Sequence, residues 1–317
     1  MTFPNFSKSR FFLSAFIALF LAHLIWGANF VVAKVTLQEI PVMSLAFLRF
    51  SLASIFLIPF LWIERRQLKM QLKDLPRLCV AGVLMITFHI YLFYEGLSRT
   101  TALNASALTL VVPILSMLCG WWFLKEKVFW INILGTVLGL IGGVVILGLP
   151  LLFTSGFNIE STLGNLLIIL SGIVFVAGAT IARPLLARYH FIVVTIGTFL
   201  VGVVTFAGPA TLDYLQNPLW VYKVTVLGGL GFLYITILST ISAFFMFQWG
   251  LEKIGLAKAS LFSYIDPVVA TLLAVPFLQE RVSFSFVVGT CLIILGVYWG
   301  TLGKEQHHNQ HFQQHHK

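Results

Sequence analysis

Apolar residues run along this chain in long blocks that carry almost no charge, separated by short polar connections. The blocks lie at about 11–34, 42–62, 76–97, 102–124, 129–149, 162–184, 190–210, 222–249, 256–278 and 283–303. Each is close to the roughly 20 residues that an α-helix needs to span a bilayer. The pattern predicts an all-α polytopic membrane protein with ten transmembrane helices. Lys8 and Arg10 resemble the basic start of a signal peptide. The apolar stretch behind them is too long for one, and no A-x-A site follows, so the first block reads as a retained helix.

A second pattern lies over the first. Gly96, Ser106, Pro113, Glu126, Gly135 and Gly142 recur as Gly250, Ser260, Pro267, Glu280, Gly289 and Gly296, each 154 positions later and without a gap. Shared Leu and Val mean little in so apolar a chain, whereas matched Pro, Glu and Gly point to duplication. Five helices per half is an odd number, so the second half must enter the membrane with the opposite orientation. The expected arrangement is therefore an inverted repeat, with a substrate site between the halves at mid-membrane. It divides the chain into a first repeat at 11–149, a linker at 150–161, a second repeat at 162–303 and a polar, His-rich tail at 304–317.

Composition removes the soluble alternatives. The chain is 59 % apolar and 10 % charged, against about 45–50 % and about 25 % in soluble domains. Its net charge of +9 needs no nucleic-acid partner, because the basic residues are distributed as in a membrane protein. With the N-terminus inside, 15 of the 20 Lys and Arg residues fall in cytoplasmic segments and 5 in outer ones. That bias predicts cytoplasmic termini. Trp62, Trp121, Trp122, Trp130 and Trp299 fall near cytoplasmic helix ends, as interfacial aromatics do. Cys79, Cys119 and Cys291 have no metal-type spacing and read as small buried apolar side chains. The five histidines after residue 306 read as part of a disordered tail, with weak metal binding as the alternative.

Trp26-Gly-Ala-Asn-Phe-Val-Val-Ala-Lys34, Leu48-Arg49-Phe50 and the Pro113/Glu126 and Pro267/Glu280 pairs resemble the EamA family of the drug/metabolite transporter superfamily. The resemblance covers about residues 11–303, as two repeats of that type. It implies a ten-helix inner-membrane carrier of small metabolites, often amino acids, with a central cavity lined mainly by helices 1, 3, 4, 6, 8 and 9. It does not name the cargo.

Asp266 is the most informative single position. It lies about ten residues into the ninth block, immediately before Pro267, where a charge costs about 2.5–3.5 kcal/mol on insertion scales. It is a candidate for binding a substrate ammonium group or for carrying a coupling proton. The alternative is a cap for backbone amides disturbed at the proline kink. Its repeat mate is Val112, so the internal symmetry demands no acid there. Ala259, Ser263, Asp266 and Ala270 share one helical face, and Ala105, Thr109, Val112 and Ser116 occupy the same register in the first half. Both faces suit a cavity wall or close helix packing.

Tyr91, Tyr94 and Glu95 share a face of the third helix and map onto Phe245, Gln248 and Trp249. They are candidates to sandwich a substrate, or else members of an interfacial belt. His89 and His23 lie inside the membrane, where a histidine can relay protons or sit neutral on a neighbouring group; His89 is the stronger candidate. Asn29, one helical step from Trp26, can read a polar substrate group or bond across helices. Candidate substrate-binding residues are thus Trp26, Asn29, His89, Tyr91, Tyr94, Thr109, Gln248, Ser263 and Asp266, with Asp266 and His89 as candidate proton carriers.

Lys34 aligns with Arg183 at a five-residue shift; both can attract anions or snorkel at a helix end. Arg49 reads as an anchor for the outer end of the second helix, and Glu126 and Glu280 as helix-end and loop-fixing residues. Gly135/Gly139 and Gly296/Gly300 form small-xxx-small pairs, expected to pack helices within each half, with a dimer interface as the alternative.

No phosphate-binding glycine loop, metal-ligand cluster or nucleophile triad is present, so no cofactor is expected. The expected function is secondary transport by alternating access of small organic metabolites, amino acids or related compounds. The expected partners are the lipid bilayer and a small-molecule substrate, for a monomer or weak homodimer. Export of drug-like or nucleotide-type solutes, an intramembrane enzyme and a channel are the alternatives.

Overall fold

A computed structural model describes the protein over residues 6–63, 70–154, 159–278 and 284–301, and no strand occurs among the described residues. Helix is the expected outcome for each apolar block. A segment removed from water must satisfy its backbone N–H and C=O groups internally, and a single segment does so only as a helix. We label the helices α1 (Phe6–Thr36), α2 (Val42–Ile63), α3 (75–99), α4 (102–122), α5 (Trp130–Thr154), α6 (Ile159–Leu186), α7 (Phe191–Gln216), α8 (Val226–Ile254), α9 (256–278) and α10 (Phe284–Thr301). Seven stretches among the described residues are long and apolar enough to cross a membrane. They lie in α1, α3, α4, α6, α7, α8 and α9, while Val42–Leu57, Trp130–Gly142 and Val287–Gly300 are shorter apolar helices.

The bundle is apolar on the outside and holds several polar and charged residues within its largely apolar interior. Val204 is 76 % exposed and Ile55 61 %, whereas Arg49, Asp266, Asn29 and Gln248 are buried. Water-soluble proteins show the reverse distribution. Lipid favours this one, since outward apolar side chains meet hydrocarbon and polar groups must find partners inside. Cys79 and Cys291 are exposed rather than buried, and Cys119 is half-buried. A thiol behaves as a small apolar group and suits an outward apolar surface as well as a core.

Two prolines account for breaks in α4 and α9. Proline has no N–H, so the carbonyl four residues before it loses its helical partner. Four residues before Pro113 is Thr109, where α4 interrupts into a turn between Ala102–Leu108 and Val111–Trp122. Four before Pro267 is Ser263, inside the 3-10 stretch Ser260–Tyr264 of α9. Both hydroxyls bond back over three residues, Thr109 to the Ser106 carbonyl at 2.7 Å and Ser263 to the Ser260 carbonyl at 2.9 Å. Helices α3 and α8 likewise each contain a π-helical segment, Val83–Phe88 and Tyr234–Ala243. Adding the 154-residue offset to the first gives 237–242, within the second.

Helix ends are held by charged side chains. Glu126 accepts from the backbone amides of Leu256 and Ala257 at 2.9 and 3.1 Å, capping the start of α9. This is the helix-end, loop-fixing role read for it; Glu280 lies outside the described residues. Lys34 donates from Nζ to the carbonyls of Leu97, Ser98 and Thr100 at 2.7, 2.9 and 2.7 Å, closing the end of α3. Arg183 lies 3.7 Å from Glu126. The Lys34 ammonium is thus engaged by a helix C-terminus, where a cation is favoured.

The glycine pairs work between the halves rather than within them. Gly135 and Gly139 of α5 face Gly296 and Gly300 of α10. A Cβ on Gly296 would lie 2.6 Å from the Gly139 nitrogen and 2.7 Å from the Gly135 carbonyl. The two backbones therefore touch. Elsewhere α2 packs on α7, α1 packs on α8 and α9, and α6 packs on α3 and α4.

Candidate functional site

A cavity of about 900 Å³, counting the part open to its surroundings, lies among α1, α2, α3, α4, α6, α8 and α9. Its walls come from these elements in a way the breaks explain. The interrupted turns of α4 and α9 bring Thr109, Val112 and Ser116 to one wall and Ser260, Ser263 and Asp266 to another. The π segment of α8 brings Ser239, and that of α3 leads directly into His89. A π turn displaces backbone carbonyls from regular pairing, a distortion that recurs at functional sites.

Asp266 has a specific partner. His23 Nδ1 lies 2.9 Å from Asp266 Oδ1, and both residues are buried, at 3 % and 5 % exposure. The carboxylate thus faces an imidazole on α1. Close approach of α1 permits the contact: a Cβ on Gly27 would sit 2.9 Å from the Asp266 carbonyl and 2.6 Å from Val269 Cβ. Trp26, one turn along, donates from Nε1 to the Ser239 carbonyl at 3.0 Å. His23 and Trp26 meet edge-on at 5.2 Å between ring centroids.

His89 bonds differently. Its Nδ1 lies 3.1 Å from the Ser171 carbonyl on α6, so that nitrogen must carry the hydrogen. Its ring tilts over Phe175 at 4.9 Å, and Phe175 in turn meets Phe247 at 5.6 Å. Aromatic rings thus share the cavity walls with serine, threonine and charged side chains. Three polar atoms, His23 Nε2, Asn29 Oδ1 and Ser116 Oγ, are buried without a protein hydrogen-bond partner. Buried polar groups are normally paired. All three residues border the cavity, so its contents are where such partners are to be found.

Of the residues singled out in the sequence, Trp26, Asn29, His89, Thr109, Ser263 and Asp266 border this cavity. Tyr91, Tyr94 and Gln248 do not. Tyr91 is half-buried against the core. Tyr94 is fully buried and its hydroxyl accepts from Arg49 Nη1. Gln248, at the repeat-mate position, is fully buried with neither amide atom paired.

Arg49 is not an outer anchor. It is buried, borders the cavity and donates from Nε to Thr240 Oγ1 at 2.8 Å. Its position near the start of an apolar block looks the same in sequence as that of an interfacial anchor. No sequence signal announces that His23 meets Asp266, 243 residues away.

At the 149-residue offset that pairs Lys34 with Arg183, His23 corresponds to Gly172 and Trp26 to Phe175. Asp266 corresponds to Val112 at the 154-residue offset. A Cβ on Gly172 would lie 3.1 Å from Val112 Cγ2, so the apolar counterparts are also neighbours. A His–Asp pair formed between the two family-matched segments thus has a Gly–Val pair, formed between the same segments, as its counterpart.

An apolar exterior, a partly polar cavity and several helices long enough to cross a bilayer define a multi-pass membrane protein. The chain belongs to the EamA-like transporter family, whose profile matches residues 13–148 and again 162–301. It is 26 % identical over 286 residues to an uncharacterized transporter of Archaeoglobus fulgidus, covering 90 % of this chain and 96 % of that one. It is 29 % identical over 304 residues to the uncharacterized transporter YetK of Bacillus subtilis, covering 93 % and 88 %. A solved crystal structure superposes with a TM-score of 0.73 at 20 % identity, covering 91 % of this chain and 96 % of that one, and shares the fold.

Proposed function

We propose that this protein is a secondary carrier of small organic metabolites, amino acids or related compounds, working by alternating access in the inner membrane. The observation that carries the reading is the cavity itself: it is walled by helices of both family-matched segments and holds a His–Asp pair among aromatic rings and small hydroxyl residues. In this reading ten helices cross the membrane as two inverted repeats, 11–149 and 162–303, with both termini cytoplasmic. Rocking of one half against the other exposes the same lining to either side.

The aromatic wall receives the apolar body of the cargo. Trp26, Asn29, His89, Thr109 and Ser263 frame its polar part, and Asp266 engages an ammonium group or exchanges a coupling proton with His23. A histidine in contact with a carboxylate is suited to that exchange, since either side chain can carry the proton between them. Tyr94 and Gln248 support the walls from behind.

The test is flux of labelled amino acids into proteoliposomes containing the purified protein, with the solute recovered and identified. Saturable uptake of an unaltered solute is expected. Chemical conversion of the solute, or uptake no faster than in empty liposomes across the whole panel, contradicts the proposal.

A further inference from the structure

Arg49 is a buried cation whose partners are all neutral. Its Nε donates to Thr240 Oγ1 at 2.8 Å and its Nη1 to the Tyr94 hydroxyl. Its Cζ lies 4.9 Å from the ring centroid of Phe50 and 5.6 Å from that of Tyr94. These contacts hold the guanidinium in place and do not neutralise it. No carboxylate among the described residues forms an ion pair with it. Asp266, the acid that borders the same cavity, is engaged by His23.

A guanidinium buried in this way costs several kcal/mol unless an anion shares its site, and the open space beside Arg49 is the cavity. We propose that Arg49 binds a carboxylate of the transported solute. The geometry suits that ligand, because Nε and one arm of the fork are fixed by the protein while the planar group still presents donors in the spacing a carboxylate accepts.

Charge balance selects a carboxylate over a phosphate dianion. Among the described residues, the cavity lining holds one arginine and one aspartate, and no lysine or glutamate. A solute bearing one carboxylate and one ammonium leaves the site balanced, whereas a dianion adds two unmatched charges in a membrane interior. Selection against amines that lack the carboxylate follows directly. This assignment rests on the carrier reading above, but its binding chemistry can be measured apart from transport.

The full chain, purified in detergent, is titrated by thermal shift with two solute series. One is phenylalanine, 3-phenylpropionate and phenethylamine; the other is leucine, 4-methylpentanoate and 3-methylbutylamine. In the series that fits the cavity, the carboxylate-bearing members bind at least about tenfold more tightly than the amine, the scale of one charge-assisted bidentate contact. Arg49→Gln abolishes the difference. Arg49→Lys keeps a part of it, since the charge remains and the fork is lost; this variant carries the test if Arg49→Gln shows no cooperative melt. Equal binding of amine and carboxylate by the wild type, a preference undiminished in both variants, or binding of no carboxylate in either series overturns the assignment. Flux of the same solutes into proteoliposomes is read separately. Carboxylate-selective binding without flux removes the carrier reading and leaves Arg49 in its role, and flux without carboxylate selectivity does the opposite.

Discussion

Asp266 and His23 illustrate how much of this site depends on single side chains. The pair lies on α9 and α1 at 2.9 Å and is almost fully shielded. Removing the charge while keeping the shape is the informative change. Asp266→Asn is expected to slow proteoliposome transport by at least about tenfold, the effect of losing one charge-assisted contact, and to flatten its pH dependence. A wild-type rate with a wild-type pH profile would remove Asp266 from the mechanism. Trp26→Phe keeps an aromatic ring but deletes the bond to the Ser239 carbonyl, a loss of about 0.5–1.5 kcal/mol for one hydrogen bond. The expected readout is a lower melting temperature together with a weaker apparent affinity. Asp266 was recognisable from sequence because a carboxylate within an apolar block has to be explained. Arg49 was not, because its depth depends on Tyr94 and Thr240, which come from α3 and α8. The place of Tyr94 is hidden for the same reason, since its hydroxyl accepts from Arg49 and lies outside the cavity lining.

The helices themselves were readable almost to their ends, since unbroken apolar blocks leave the backbone no other solution in lipid. Breaks at Thr109 and Ser263 follow from Pro113 and Pro267 by counting back four residues. What remained hidden was which helix meets which. The small-xxx-small pairs of α5 and α10 announce close packing without naming a partner, and the partner proves to be each other. Gly296→Leu places a branched side chain where a Cβ alone would lie 2.6 Å from the Gly139 nitrogen. The seam must then open, and overpacking of this kind typically costs about 1–3 kcal/mol. A reduced melting temperature of the purified protein is the expected result; an unchanged melt would show that α5 and α10 do not touch there. Glu126→Gln at the start of α9 is a milder change. It weakens the cap on Leu256 and Ala257 by about 1 kcal/mol, a smaller shift in the same measurement.

Across the whole molecule, the two family-matched segments embrace each other instead of standing apart: α1 leans on α8 and α9, and α6 on α3 and α4. Such an exchange of contacts gives a cavity two related sides, and the sides differ where one has His23 against Asp266 and the other Gly172 against Val112. An asymmetric solute has one way to sit in such a site. The inverted orientation we propose, with both termini cytoplasmic, predicts sidedness. In a background lacking Cys79, Cys119 and Cys291, Arg188→Cys should react with an impermeant maleimide only from the cytoplasmic face, and Lys223→Cys only from the outer face. Labelling of both from one side would contradict the orientation. The central claim, a cavity that opens alternately to each side to carry a solute, is tested most directly by counterflow. Proteoliposomes preloaded with unlabelled amino acid are diluted into a trace of the labelled one. A carrier produces a transient overshoot of label inside, abolished in Asp266→Asn. Entry that rises only to equilibrium, with no overshoot, would mark a channel and contradict the account.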